Sequence, residues 1–279
     1  MKIAIVGLGL IGGSLAKTIK KRTAHLCYGL DHDASTLEKA QKVGAITQAV
    51  GPEALGEMDF TIIALHPRQT IDFLLENVGA FRPGSVVMDV CGVKKAVVDA
   101  VTAPLAERGV YFVGAHPMAG REFSGFDYAQ DDLFQRASFI ITPVAETSPA
   151  AVETVKELAA ELGFPKVVIS TPEVHDTTIA FTSQLAHVVS NAYIKSPSLQ
   201  NQSGFSAGSF LDLTRVAKLN EDMWTDLFLM NREPLLYEVE TIIGHLCQYR
   251  DALQADDPVA LKQLLRDGRI LKEQSLKQK

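Results

Sequence analysis

The chain has 279 residues, 47% of them apolar, with a net charge of −6 and a mean hydropathy of +0.09, the profile of one large or two ordinary domains burying a sizeable core. The acidic balance offers no broad basic surface for nucleic acid or an acidic membrane, and no apolar run approaches the ~18 residues that span a bilayer. Cys27, Cys91 and Cys247 lie far apart and form no C-x-x-C, which fits a reducing cytoplasm and neither a disulfide framework nor a metal site.

Ile3, Ile5 and Val6 form a short β-branched run that predicts a buried strand. It starts after two residues, so no signal peptide is expected. The strand runs into Gly7, Gly9 and Gly12, spaced as G-x-G-x-x-G, and then into a helix predicted over 14–21. Gly7 permits a tight turn, Gly9 has no Cβ to block a pyrophosphate, and Gly12 lets helix and strand pack closely. With Leu8, Leu10 and Ile11 these glycines form the expected diphosphate loop, at the positive end of the helix. A second strand, 26–30, ends at Asp31, about 20 residues after the last glycine, where a carboxylate accepts ribose hydroxyls and repels a 2′-phosphate. His32 and Asp33 follow instead of an arginine, so the expected cofactor is NAD.

A helix is predicted over 34–43, a strand over 60–65 and a helix over 70–77. A strand over 85–90, a helix over 94–107 and a strand over 110–114 follow, then a loop to about 130. The strand 138–142, the helix 153–162 and the strand 167–170 complete the alternation. His66 and Gly92, each just beyond a predicted strand, are placed with the cofactor. Strands alternating with helices predict an α/β fold, a doubly wound parallel sheet forming a dinucleotide-binding domain over 1–171.

Beyond Thr171 the pattern becomes helical. Ser170 and Glu173 with Pro172 read as a capping box at a helix entrance, opening an all-helical domain over 172–279. A Ser/Gly/Asn-rich break at 196–209 reads as a surface loop or as a flap over a cleft. Leu235, Val239, Ile242, Leu246, Tyr249 and Leu253 repeat as a heptad seam. The seam suits packing within one chain or pairing with a second copy, and we expect a homodimer.

The stretch 113–125, VGAHPMAGREFSG, holds His116 just past a strand end, where open parallel sheets bind ligands. A histidine so placed can exchange a proton beside a nicotinamide, or can simply cap a loop carbonyl. Together with the glycine loop, this stretch closely resembles the prephenate/arogenate dehydrogenases of tyrosine biosynthesis, and the resemblance spans nearly the whole chain. Residues 89–94 look like that family's D-x-x-S-x-K loop. His175-Asp176 and residues 183–187 look like its H-D and S-H-L-P-H elements, and residues 210–215 with Met223-Trp224 like its F-x-D-x-T-R and M-W segments.

The resemblance implies a Rossmann domain with a helical dimerisation domain, and NAD-dependent oxidative decarboxylation of prephenate to 4-hydroxyphenylpyruvate in the cytoplasm. It implies that His116 is the catalytic base, that Arg215 grips a substrate carboxylate, that His187 and Ser183 contact substrate, and that Glu122 orders the site or faces the substrate side chain. His175 reads as structural, oriented by Asp176. Ser183, Gln184 and His187 are expected to share one polar helix face.

Three positions depart from the family pattern: Gly92 replaces a serine that bridges histidine and cofactor, while Gln184 and Ala186 replace the first histidine and the proline of S-H-L-P-H. Arogenate is the alternative substrate, since Glu122 could favour its ammonium. Cys91 raises the separate idea of a thiol nucleophile. Two rivals remain: a β-hydroxyacid dehydrogenase, which depends on a lysine in the helical domain for which Lys195, at the edge of the break, is a poor candidate, and a non-catalytic NAD-sensing dimer. No further domain for tyrosine sensing is expected.

Overall fold

The computed structural model describes residues 1–121 and 123–277. Its first part runs β1 (Lys2–Val6), α1 (Leu10–Arg22), β2 (Leu26–Leu30), α2 (Ala34–Lys42) and β3 (Gln48–Ala49). After a 3-10 turn at Pro52–Glu57 come β4 (Phe60–Ile63), α3 (Pro67–Glu76), β5 (Val86–Asp89), α4 (Lys95–Glu107), β6 (Tyr111–Pro117), β7 (Ser138–Thr142), α5 (Pro149–Leu162) and β8 (Lys166–Ile169). The strands form one sheet in the order β3-β2-β1-β4-β5-β6-β7-β8. The direction of winding reverses between β1 and β4, the crevice where open α/β sheets take ligands.

Strand residues of alternating parity are buried on both faces. Ile3, Ile5, Phe60 and Ile62 join Leu15 and Ile19 of α1 in one cluster, while Ala4, Val6 and Ile63 join Val97 and Val101 of α4 in the other. A parallel sheet covered on both faces needs such continuous apolar runs, which is why these strands do not alternate with polar residues.

One pairing departs from the expected parallel order. β7 runs antiparallel to β6, with Pro117 opposite Phe139. Among the described residues between them no α-helix carries the chain across the sheet, so the connecting loop stays at the end of the sheet where His116 lies. That loop is clasped onto α1: Gln130 N donates to Ser14 Oγ (2.9 Å), Lys17 Nζ donates to Ala129 O (2.8 Å), and Phe126 lies against Gly13.

The second part is helical: α6 (Pro172–Ile179), α7 (Leu185–Tyr193), α8 (Gly208–Thr214), α9 (Glu221–Met230), α10 (Arg232–Gln254) and α11 (Pro258–Leu276). The cap of α6 is Thr171 rather than Ser170, its side chain accepting from Val174 N at 3.2 Å. A π turn, Ala180–Gln184, joins α6 to α7. A 3-10 turn at Pro197–Asn201 occupies part of the polar break.

By packing, Met1–Asn231 forms one compact unit and the residues from Arg232 onward a second. In the second unit α10 and α11 pack on each other across a turn capped by Asp257, which accepts from Val259 N and Ala260 N. Among the described residues of α11 none is buried, and Leu246 and Leu253 of the heptad seam are exposed.

The glycine loop shows which positions the fold requires. Gly7 has φ +86°, and a Cβ there would lie 2.6 Å from Ala64 O. A Cβ on Gly12 would overlap the Gly7 carbonyl oxygen, whereas a Cβ on Gly9 would meet nothing within 4 Å. Gly12→Ala is therefore expected to cost about 1–3 kcal/mol by overpacking, lowering Tm by about 3–10 °C for a chain of this size. Gly9→Ala leaves thermal denaturation within about 2 °C of the native midpoint. Equal midpoints for the two variants would contradict this reading of the loop.

Candidate active site

The cofactor crevice is built around the first turn of α1. Gly7 N donates to Leu30 O (2.8 Å), tying the loop to β2. Leu8 is fully buried, and its amide donates to Asp31 Oδ2 at 2.7 Å, so it serves the loop through its backbone while its side chain lies in the core. Leu10 and Ile11 are partly exposed, and the first N–H groups of the helix find no helical carbonyl to bond. Asp31 also accepts from Asp33 N through Oδ1 at 2.9 Å. Two amides thus orient this carboxylate, and lone pairs remain for a diol. His66 is exposed and directly precedes α3, at the end of β4 beside the glycine loop.

A cluster around His116 lies two strands further along the sheet. β6 extends past the predicted strand end, so His116 sits within the strand, next to its final residue. Its Nδ1 lies 2.9 Å from His175 Nε2, and the two rings meet edge-on with centroids 5.1 Å apart. His175 Nδ1 in turn lies 2.7 Å from Asp176 Oδ1. The same carboxylate accepts from Lys94 N (2.8 Å) and Lys95 N (2.9 Å), capping α4.

Lys94 itself is fully buried, with Nζ donating to Asp89 Oδ2 and to Ala115 O (2.6 Å). Burial first, then the neighbouring His175 and the Lys94 charge, hold the His116 imidazole well below its ordinary pKa, so the ring is a neutral base. On its other side is Gly92, where a Cβ would lie 3.9 Å from His116 Nε2 and 3.5 Å from Leu227 Cδ2.

Leu227 belongs to α9, which begins the helical wall. Trp224, one turn earlier, stacks on His187 with centroids 3.8 Å apart. His187 Nδ1 donates to Ser183 O (2.9 Å), and burial is the main cause depressing its pKa, with the Arg215 charge adding to that effect. Arg215 is the exposed residue that follows α8.

The expected single polar face is corrected here. The π turn swings Gln184 inward, where it is buried, donating to Leu227 O (3.1 Å) and accepting from Asn231 Nδ2 (2.7 Å). Ser183 and His187 remain partly exposed. An exposed ion pair, Arg68 with Asp226 (3.2 Å), joins α3 to α9.

Glu122 lies outside the described residues. Cys91 is buried with Sγ 3.3 Å from Thr70 Oγ1, and burial drives its thiol pKa up, which removes the thiolate a nucleophile needs. Sequence reasoning missed the contact between His116 and His175 and the buried Lys94 network. The adjacent pair His175-Asp176 was the available signal, since a carboxylate beside a histidine fixes its tautomer.

The residues 15–169 match the family model described as prephenate dehydrogenase, nucleotide-binding domain, and residues 171–267 match the prephenate dehydrogenase dimerization domain. The chain belongs to the prephenate dehydrogenase family. Prephenate dehydrogenase of Bacillus subtilis is 32% identical over 264 residues, covering 91% of this chain and 71% of the relative. The prephenate dehydrogenase of A. aeolicus, solved with hydroxyphenyl propionate and NAD+, superposes with a TM-score of 0.88 at 27% identity, over 98% of both chains. The Synechocystis arogenate dehydrogenase superposes at 0.82 with 28% identity, over 99% of this chain and all of its own. Among the family departures, Gln184 now has a structural explanation, as the bridge from the π turn to α9.

The depressed pKa values of His116 and His187 predict a stability signature. The unfolded chain takes up protons near pH 6.5 that these folded rings refuse, so stability falls as pH drops below about 6.5 toward the folded values. Denaturant midpoints should decrease between about pH 7 and 5.5, and His116→Gln should flatten that decrease. An unaltered slope in the variant would exclude His116 as its source.

Proposed function

We propose that this member of the prephenate dehydrogenase family carries out the NAD-dependent oxidative decarboxylation of prephenate to 4-hydroxyphenylpyruvate. The observation that carries the reading is His116, neutral and held through Nδ1, within the same compact unit as the glycine loop and the His187–Trp224 wall. The open space at Gly9 and the oriented Asp31 carboxylate fit NAD. Gly7, Leu8, Gly9, Leu10, Ile11 and Gly12 would hold the diphosphate and Asp31 the ribose, with His66 and Gly92 flanking the nicotinamide half.

NAD, when bound, accepts the hydride from C4 of the ring. His116 takes the proton of the C4 hydroxyl as that hydride departs. The bond from C1 to its carboxylate then breaks, CO2 leaves and the electron pair enters the ring, which becomes aromatic. His116 returns its proton to the resulting phenolate. Arg215 holds a substrate carboxylate through its planar fork, with His187, Ser183 and Glu122 completing the substrate contacts. The nearness of His116 and Leu227 to the Gly92 backbone, the His187–Trp224 stack and the Arg215 charge felt at His187 support this grouping.

The division at 171/172 is supported by two family models, the first ending at residue 169 and the second beginning at residue 171. A homodimer through the helical part is supported by the dimerization-domain match and by the exposed leucines of α10 and α11. A cytoplasmic location fits the free cysteines, and no helix among the described residues is long and apolar enough to cross a membrane. Arogenate is a second reading, favoured by the likeness to the Synechocystis enzyme. NADH formation with prephenate and arogenate side by side decides between them, and no NADH from either removes the proposal.

His116→Asn should preserve NAD binding while kcat falls by about 10²–10⁴-fold, the usual contribution of a general base. Turnover within tenfold of the native enzyme would exclude His116. Arg215→Ala should raise KM for the acid at least about tenfold without altering NAD affinity, and an unchanged KM excludes that contact.

A further inference from the structure

We propose that His175 is a positioning residue that sets the tautomer of His116, leaving Nε2 as the nitrogen that takes the substrate proton. This deepens the assignment of His116 as base and rests on it.

The argument runs outward from Asp176. An ionised carboxylate only accepts hydrogen bonds. His175 Nδ1, 2.7 Å from Asp176 Oδ1, must therefore carry a proton. A neutral imidazole has one N–H, so His175 Nε2 is bare and accepts. Its neighbour at 2.9 Å is His116 Nδ1, which must be the donor. His116 Nε2 is then unprotonated, and it is the nitrogen that faces Gly92. Among the described residues Nε2 makes no hydrogen bond. Three groups in line, each with a single permitted role, convert a two-tautomer ring into a one-tautomer base.

The charges around the ring sharpen this role. From α6 come His175 and Asp176, and from the β5–α4 turn comes Lys94 with its partner Asp89. Alongside, β7 places Ile140 opposite His116, and α9 brings Leu227 to the Gly92 side. Lys94 opposes an imidazolium at His116, while Asp176 favours it through His175. When Nε2 takes the proton, Nδ1–H already points at an acceptor backed by a negative charge, so no group must reorient during the step.

A merely structural His175 would fill space and bond Asp176 without affecting which His116 nitrogen is protonated. Nitrogen-15 NMR of the full-length, histidine-labelled protein reads that directly, without substrate. The native spectrum should show His116 protonated on Nδ1 and bare on Nε2. His175→Leu should show both tautomers in exchange. His175→Gln, whose amide oxygen can accept from Nδ1–H, should keep the native form.

Kinetics should follow the spectra. His175→Leu should lower kcat about 10- to 1,000-fold with KM and NAD affinity within about threefold, and His175→Gln should recover most of the loss. A native His116 protonated on Nε2, or a folded His175→Leu with native kcat, overturns the proposal. If His175→Leu fails to fold, the native and Gln spectra still decide it. The tautomer reading does not depend on which acid is turned over. Failure of the base assignment would show instead as retained turnover in His116→Asn.

Discussion

One buried carboxylate holds the halves of this site in register. Asp176 is nearly inaccessible and accepts from the Lys94 and Lys95 amides at the start of α4 and from the His175 ring, all within 2.9 Å. Its backbone oxygen takes a further bond from Asn231 Nδ2 at 2.8 Å. A negative charge at a helix N-terminus is favoured by the unbonded amides and the helix dipole, and bonds to a charged group contribute about 1.5–3 kcal/mol each. Through these contacts α6 docks on the sheet, and the position of α6 decides where the second histidine meets the first.

Behind that carboxylate lies the Asp89–Lys94 pair, fully buried and bonded further to the main chain of Ala115 and Cys91. Such pairs give little net stability, because desolvation offsets their attraction. Their effect here is geometric. Lys94 reaches from the β5–α4 turn to the carbonyl just before His116, so the strand end cannot shift relative to the turn that carries Gly92. The same ammonium discourages a second positive charge nearby and helps keep the His116 ring neutral.

The antiparallel β7 belongs to the same logic. A helical crossover after β6 would carry the chain away from the ligand-binding end of the sheet. The strand reversal instead keeps the following loop there, and Phe126 and Ala129 press it against the helix that follows the glycine loop. The π turn works similarly in the helical part. One extra residue rotates Gln184 into the interior to bridge to α9 and leaves Ser183 and His187 toward the open side, a placement such turns often serve at functional sites.

The nucleotide-binding half was legible in the sequence because its signals are local. Short β-branched apolar runs, the spacing of Gly7, Gly9 and Gly12, and Asp31 at a strand end each depend on a few neighbouring residues, and the structure places them as read. His116 was legible from its position after a strand and from its motif. The partnership of His116 with His175 was not, since the two lie 59 positions apart and meet only when α6 docks. Nor could helical spacing foresee that a π turn would divide Ser183 from Gln184, because that spacing assumes an unbroken helix. Periodicity along the chain encodes which face is buried; which buried groups touch is decided by packing between elements.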